Sequence, residues 1–108
     1  METHFVYITC GSKEDARRIG RAIVEQRLAA CANILDGMEA IYHWQGQIEQ
    51  EQECVLIFKT TAAHYSALEK AVLALHPYDV PCIIALPILM GHKAYLDWIQ
   101  SEAGNCKI

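Results

Sequence analysis

The chain has 108 residues, of which 53% are apolar and 20% are charged, and its formal net charge is −4. This composition excludes a disordered chain, and the length predicts a single domain over residues 1–108. No apolar run reaches the ~18 residues of a membrane span, and the sequence contains no basic stripe. We therefore expect neither a membrane nor a nucleic acid as a partner.

The cysteines and the N-terminal residues predict the cellular compartment. The five cysteines are odd in number and show no C-x-x-C spacing, and four of them lie in apolar runs, as free thiols usually do. Such thiols suit a reducing compartment. The first residues lack a basic region followed by an apolar one, so no signal peptide is predicted. Together these features favour the cytoplasm.

The first half of the chain predicts a strand, a helix and a long hairpin. Residues 5–10 form an aromatic and β-branched run typical of a strand, and Ser12 is a candidate helix N-cap. Two strands near residues 30–44 and 47–60 flank a Gln-Gly turn, and Gly37 predicts a bulge in the first of them. Each arm would reach on the order of 45 Å at ~3.3 Å per residue, so we expect the hairpin to protrude.

The second half predicts a helix, an edge strand and a short terminal helix. The second helix should end at His76, because Pro77 disfavours helical geometry in the residue before it. The run of residues 82–88 is almost wholly apolar, yet Pro87 inside it implies an edge strand or a bulge. Residues 93–102 can form a short helix, after which we expect a loose tail.

This order of elements is βαββαβ plus a short C-terminal helix, the ferredoxin-like arrangement of the α+β class. In that arrangement the first and third strands are central, and both long helices cover one face of the sheet. The first strand, the end of the third and the fourth strand are nevertheless apolar on both faces. A second subunit must therefore bury the face that the helices leave open, and it would also cover the apolar edge strand.

Several segments of the chain resemble the CutA family, whose members are called divalent-ion tolerance proteins. The matching segments are Arg27–Ile34, Tyr42–Ile48, Lys59-Thr60, His76–Pro87 and Tyr95–Ile99. The resemblance covers nearly the whole chain. It implies a homotrimer in which long hairpins reach neighbouring subunits, and a role in tolerance and binding of copper or other metal ions. Since no phosphate loop or nucleophile motif occurs in the sequence, we do not expect an enzyme.

The candidate metal ligands are Cys10, His76 and Cys82. The resemblance implies the first two, although Leu75 stands where some relatives have a further histidine, and Cys82 replaces an acidic residue of many relatives. Cys10 precedes a helix N-terminus, a position that lowers the pKa of a thiol and favours the thiolate. The alternating directions of strands and helices bring all three residues to one end of the sheet. Thiolate and imidazole ligands favour copper, with zinc as the next candidate, over magnesium or calcium.

The same residues can also have purely structural roles instead of binding a metal ion. Cys10 can be a small apolar residue at a strand end, and His76 can cap a helix. The acidic row Glu49, Glu51 and Glu53 predicts a solvated strand face, and weak attraction of cations is the alternative interpretation.

Three aromatic residues, Tyr42, Trp44 and Trp98, are candidate interface anchors rather than parts of a cofactor site. A second hypothesis for the whole chain is a non-metal trimeric signalling or assembly scaffold that resembles the PII-like proteins. Whether Cys10 and His76 converge in space separates the two hypotheses.

Overall fold

The computed structural model describes residues 2–104, so the tail predicted beyond Gly104 lies outside the described residues. The elements follow one another in the predicted order. Their bounds are β1 Thr3–Cys10, α1 Lys13–Glu25, β2 Cys31–Trp44, β3 Gln47–Thr61, α2 Ala62–Leu75, β4 Ile83–Pro87 and α3 Lys93–Glu102. Within residues 2–104, no helix has the length and apolar character that crossing a membrane requires.

The four strands form one antiparallel sheet in the order β2-β3-β1-β4. The central positions of β1 and β3 confirm the predicted ferredoxin-like α+β fold. Alternation along β1 defines the two faces of the sheet. Val6, Ile8 and Cys10 point into the core beneath α1 and α2, on what we call the helix face. Tyr7 and Thr9 point to the opposite side, which we call the open face.

The helix face holds the buried core. The Ser12 side chain accepts a hydrogen bond from the Asp15 backbone N–H at 3.1 Å, which confirms the predicted start of α1. The apolar stripe of α1, which includes Ile19 and Ile23, is fully buried, as is Phe58 on β3. Each side chain of this size contributes roughly 1.5–3 kcal/mol when it is removed from water, so burial on this face stabilises the folded chain.

The hairpin of β2 and β3 has the predicted turn and the predicted bulge. Gln45 and Gly46 have φ angles of 50° and 77°, as the tight turn between these strands requires. The pairing register shifts between Leu35 and Met38, on either side of Gly37, whose φ is 81°. The bulge turns the even-numbered residues of the outer half of β2 toward the open face. The molecule is 48 Å long in its largest dimension, in agreement with a protruding hairpin.

Strand β4 is an edge strand, as Pro87 predicts, and it pairs with β1 alone. It is shorter than the predicted run of residues 82–88, because pairing begins at Ile83 and Pro87 ends it. On the open face, Ile84 and Leu86 are 51% and 52% exposed. The apolar surface that the sequence predicts on this side is therefore exposed in the single chain.

Helix α3 covers only one end of the open face. The Lys59 ammonium lies 5.9 Å from the ring centroid of Tyr95, and the Cys31 sulfur lies 3.7 Å from the hydroxyl of the same tyrosine. An ion pair of 3.1 Å between Arg27 and Glu102 joins the end of α3 to the loop after α1. The opposite end of the open face, toward the hairpin, is left free of helices.

Candidate functional site

Cys10 lies on the helix face at the end of β1. Its side chain is fully buried in the core, and its register partner on β3 is a second buried thiol, Cys54. Burial, together with the smaller effects of Cys54, Asp15 and Glu53, raises the pKa of Cys10 to about 12. The expectation of a lowered pKa is therefore wrong, because the loss of water around the sulfur outweighs the nearby helix N-terminus. Cys10 is a protonated core thiol in this conformation.

His76 is buried at the end of α2, and both of its ring nitrogens are engaged. Nε2 donates a hydrogen bond to the Thr9 carbonyl oxygen at 2.8 Å. Nδ1 accepts one from the backbone N–H of Tyr78 at 3.2 Å. A neutral imidazole has one donor and one acceptor, so this pair of bonds uses its whole capacity. His76 therefore ties the segment after α2 to the end of β1, and a metal ion could bind it only by displacing one of these bonds.

Cys82 lies just before β4 and faces the other side of the sheet. It continues the alternation of β4, in which Ile84 pairs with Tyr7, and it lies on the open face close to Thr9. The thiol is half-buried, and its pKa is raised by burial and by the charge of Glu53. The three predicted ligands thus gather at one end of the sheet, but Cys10 and Cys82 lie on opposite faces of it. Among residues 2–104, no three His, Cys, Asp or Glu side chains converge to hold a metal ion.

A groove of about 690 Å³ occupies the free end of the open face. Its floor and walls come from β1, from the outer halves of β2 and β3, and from the segment between α2 and β4. The lining residues are Tyr7, Thr9, Met38, Ala40, Tyr42, Trp44, Glu49, Glu51, Glu53, Tyr78, Asp79, Val80 and Cys82. Four of them are acidic and none is basic, so the groove has a negative charge.

Two tyrosine hydroxyls organise the acidic row of the groove. Tyr42 donates a hydrogen bond to Glu51 and Tyr78 donates one to Glu53, each at 2.9 Å. The hydrogen bond to Glu51 raises the pKa of Tyr42, and burial followed by the bond to Glu53 raises the pKa of Tyr78. Both phenols therefore stay protonated and act as donors. Glu53 is only 9% exposed, so the prediction of a solvated strand face is wrong for this residue.

Tyr78 reaches this position because Gly11 leaves room for it. A Cβ atom at residue 11 would lie 3.0 Å from the Tyr78 hydroxyl oxygen, closer than ordinary contact. Sequence analysis missed the groove as a site. The available signal was the alternation of three glutamates on β3, the strand that pairs with the one carrying Tyr42 and Trp44. The contribution of Tyr78 is visible only in three dimensions.

The predicted interface anchors differ in their surroundings. Tyr42 and Trp44 line the groove, where the Trp44 ring is 42% exposed. Trp98 is 40% exposed and stacks on Tyr95 within α3, with ring centroids 5.5 Å apart. Their role in a subunit interface stays a prediction.

Comparison with known proteins identifies the family. A sequence model described as CutA1 divalent ion tolerance protein matches residues 4–102. The chain belongs to the CutA1 family. It is similar to the divalent-cation tolerance protein CutA of Thermus thermophilus, with 50% identity over 99 residues, 92% of this chain and 96% of that protein. It is also 40% identical over 100 residues to a chloroplastic CutA protein of Arabidopsis thaliana, but it spans only 55% of that longer protein.

Solved CutA1 structures have the same fold. The Thermus thermophilus structure has a TM-score of 0.92 at 49% identity, and the match covers 94% of this chain and 99% of that one. A structure from Archaeoglobus fulgidus, described as a periplasmic divalent cation tolerance protein, has a TM-score of 0.86 at 41% identity, covering 90% and 94%. The resemblance seen in the sequence is therefore confirmed at the level of family and fold.

Proposed function

We propose that this chain is a homotrimeric divalent-cation tolerance protein that binds copper at the groove end where Cys82 lies. Family membership supports the tolerance role. The observation that supports a metal site here is the position of Cys82, whose thiol lines the groove together with Glu53. His76 supports this site indirectly, because its hydrogen bonds fix the segment that carries Tyr78 and leads to Cys82, whereas Cys10 stays buried in the core.

The chemistry of this end of the groove suits a soft, exchangeable ion. A thiolate favours copper or zinc, and of these two we assign copper to the site. The raised pKa of Cys82 means that binding must release a proton, so affinity increases with pH. Cys82 and Glu53 leave coordination positions open, which a second subunit or a solvent ligand would complete.

A Cu(I) titration of reduced protein against a competing chelator tests this assignment. We expect Cys82→Ala to weaken binding at least about tenfold, a loss of about 1.4 kcal/mol or more. Cys10→Ala and Cys31→Ala are the matched thiol controls, one buried and one half-buried outside the groove, and each should change affinity less than about twofold. Loss of binding in Cys10→Ala alone would contradict the groove site. An unchanged affinity in all three variants would exclude Cys10, Cys31 and Cys82 as ligands.

The trimer is supported by the uncovered apolar surface. Ile84 and Leu86 on the edge strand are half-exposed, and Ile41 and Ile48 on the hairpin are 65% and 70% exposed. Closed rotational symmetry would cover both surfaces at once. Light scattering behind a sizing column measures the mass directly, and a monomer at micromolar concentration would contradict the proposal. Trp44→Ala should lower both subunit association and melting temperature if this ring packs against a neighbour.

A second candidate is a trimeric scaffold or signalling module that binds no metal. It is favoured by one observation, the lack of a converging three-ligand cluster within the part of the chain that the structure describes. Metal analysis of protein purified without chelators separates the two candidates. Copper at one equivalent per subunit supports the first, and metal-free protein that also fails to bind Cu(I) supports the second.

We further propose a binding role rather than catalysis, and a cytoplasmic location. Cys10, the thiol beside a helix N-terminus, is buried and protonated, and His76 has both nitrogens occupied, so neither is available as nucleophile or base. The four described cysteines are free, which suits a reducing compartment. Cell fractionation tests the location, since the Archaeoglobus relative is described as periplasmic.

A further inference from the structure

We propose that the free edge of β2 binds an extended acidic segment of a partner protein, which adds a further strand to the sheet beside the arginines of α1. The site is the inner half of β2, Cys31–Leu35, together with the facing side of α1. It lies at the opposite edge of the sheet from β4 and on the helix side. It is therefore separate from Cys82 and from the surfaces of the open face, of β4 and of the hairpin on which the trimer is proposed.

The inner half of β2 has an unpaired edge, because β2 pairs with β3 alone. The Ala62 backbone N–H donates to the Glu2 carbonyl oxygen at 2.9 Å, in register with the β1–β3 ladder. Since hydrogen-bonded and non-bonded pairs alternate along antiparallel strands, the even-numbered residues of β3 bond to β1 and the odd-numbered ones bond to β2. Their partners on β2 are also odd-numbered. The backbone N–H and C=O groups of Ala32 and Ile34 therefore point away from the sheet.

This edge lacks the features by which proteins prevent strand addition. Such features are charged side chains, a proline, a bulge or a covering element. The segment Cys31–Leu35 contains neither a charge nor a proline, and the bulge comes only after Leu35. A groove of about 620 Å³ lies between this edge and α1, and its floor consists of small and aliphatic residues: Gly20, Val24, Ala30, Ala32 and Ile34. The edge is therefore open to another extended chain.

The groove has a positive rim, although the whole chain has a net charge of −4. Arg17 and Arg21 line it and lie about one helical turn apart on α1. Arg17 forms no hydrogen bond or ion pair with any residue from 2 to 104. Arg21 lies 3.5 Å from Glu25, which also lines the groove, but both side chains are largely exposed and such pairs contribute little. Both guanidinium groups can therefore bind carboxylates of a partner.

An acidic strand matches this edge better than a second copy of the chain does. Alternate side chains of a strand lie about 6.6 Å apart at ~3.3 Å per residue, close to the ~6 Å rise over the four helical residues from Arg17 to Arg21. Glutamates at alternate positions would thus meet both arginines while the backbone pairs with Ala32 and Ile34. The other free edge of the sheet, Ile83–Pro87, has no acidic residue, so a second copy offers no such match.

Fluorescence anisotropy of a labelled, acetylated peptide of four Glu-Thr repeats, titrated with the native assembly, tests the proposal. We expect saturable binding. Arg17→Gln/Arg21→Gln should weaken it at least about tenfold, because two charge-assisted pairs are lost. Arg18→Gln/Lys70→Gln is the matched control, since it removes the same charge from the helices at exposed side chains that do not line the groove. It should change the affinity less than about twofold.

A second measurement tests strand addition itself. Every second amide of an added strand faces β2, so two further peptides are methylated on backbone nitrogens, one at all glutamates and the other at all threonines. One of the two should bind at least about tenfold more weakly than the other.

Equal binding of the two methylated peptides would overturn the proposal, since the backbone would then play no part. Equal weakening by the two double variants would also overturn it, because binding would then reflect overall charge. Absence of saturable binding of the unmodified peptide would overturn it as well and would indicate that another subunit covers this edge.

Discussion

The two faces of the sheet carry similar apolar side chains with different consequences. On the helix face, Leu56 and Phe58 are fully buried within one subunit. On the open face, Ile84 and Leu86 are about half-exposed, and beyond them lies a groove with a row of carboxylates. The helix face holds the core of the chain, whereas the open face leaves apolar side chains and carboxylates accessible. Strand alternation divides the cysteines in the same way, with Cys10 in the core and Cys82 at the groove.

A matched pair of leucines tests this division most strongly. Leu56→Ala should lower the free energy of unfolding by roughly 2–5 kcal/mol, because it opens a cavity in a closed core. Leu86→Ala should instead weaken subunit association and make the melting temperature more dependent on protein concentration. Urea unfolding at two protein concentrations measures both effects. If Leu86→Ala changed neither association nor melting, the open face would not be an interface.

His76 connects the two regions, and its removal should have the next largest effect. His76→Ala leaves the Thr9 carbonyl and the Tyr78 N–H without their partner, at a cost of about 2 kcal/mol in unfolding free energy. Hydrogen exchange of the Tyr78 amide should become faster. His92→Ala is the control, because that side chain is exposed and makes no capping hydrogen bond. Equal stability of the two variants would show that the His76 bonds do not hold this segment.

The two tyrosine–glutamate bonds offer a smaller comparison. Tyr78→Phe should lower the unfolding free energy by about 1 kcal/mol, because the buried Glu53 loses its donor. Tyr42→Phe removes a hydrogen bond to the exposed Glu51, where water can replace the hydroxyl. It should therefore lower the free energy of unfolding by well under ~1 kcal/mol. Denaturant melts of both variants decide this. A larger loss of unfolding free energy in Tyr42→Phe than in Tyr78→Phe would contradict the explanation that burial makes the Tyr78–Glu53 bond the stronger one.

Most of the fold could be predicted from local patterns. The Ser12 cap, the bulge at Gly37 and the edge position of the strand with Pro87 each depend on a residue whose backbone chemistry admits few alternatives. The central position of β1 follows from its apolar character on both faces. The ends of the elements were less certain, and the fourth strand proved shorter than its apolar run.

The candidate site was harder to predict because it depends on three-dimensional register. Topology correctly brings Cys10, His76 and Cys82 to one end of the sheet, but it does not state which face each side chain takes. Rules for helix N-termini could not anticipate that burial raises the pKa of Cys10. The buried Glu53 accepts its hydrogen bond from Tyr78, which lies twenty-five positions away in the sequence.

Alkylation of the cysteines with and without copper tests the central claim, that Cys82 on the open face binds the metal and Cys10 on the helix face does not. Reduced protein is treated with iodoacetamide between pH 7 and pH 9, and the modification of each cysteine is measured by peptide mass mapping. We predict that Cys82 is modified and that Cu(I) protects it. Cys10 should stay unmodified throughout, because its pKa of about 12 keeps the buried thiol protonated. Modification of Cys10 with copper-dependent protection, while Cys82 reacts equally with and without copper, would contradict the account.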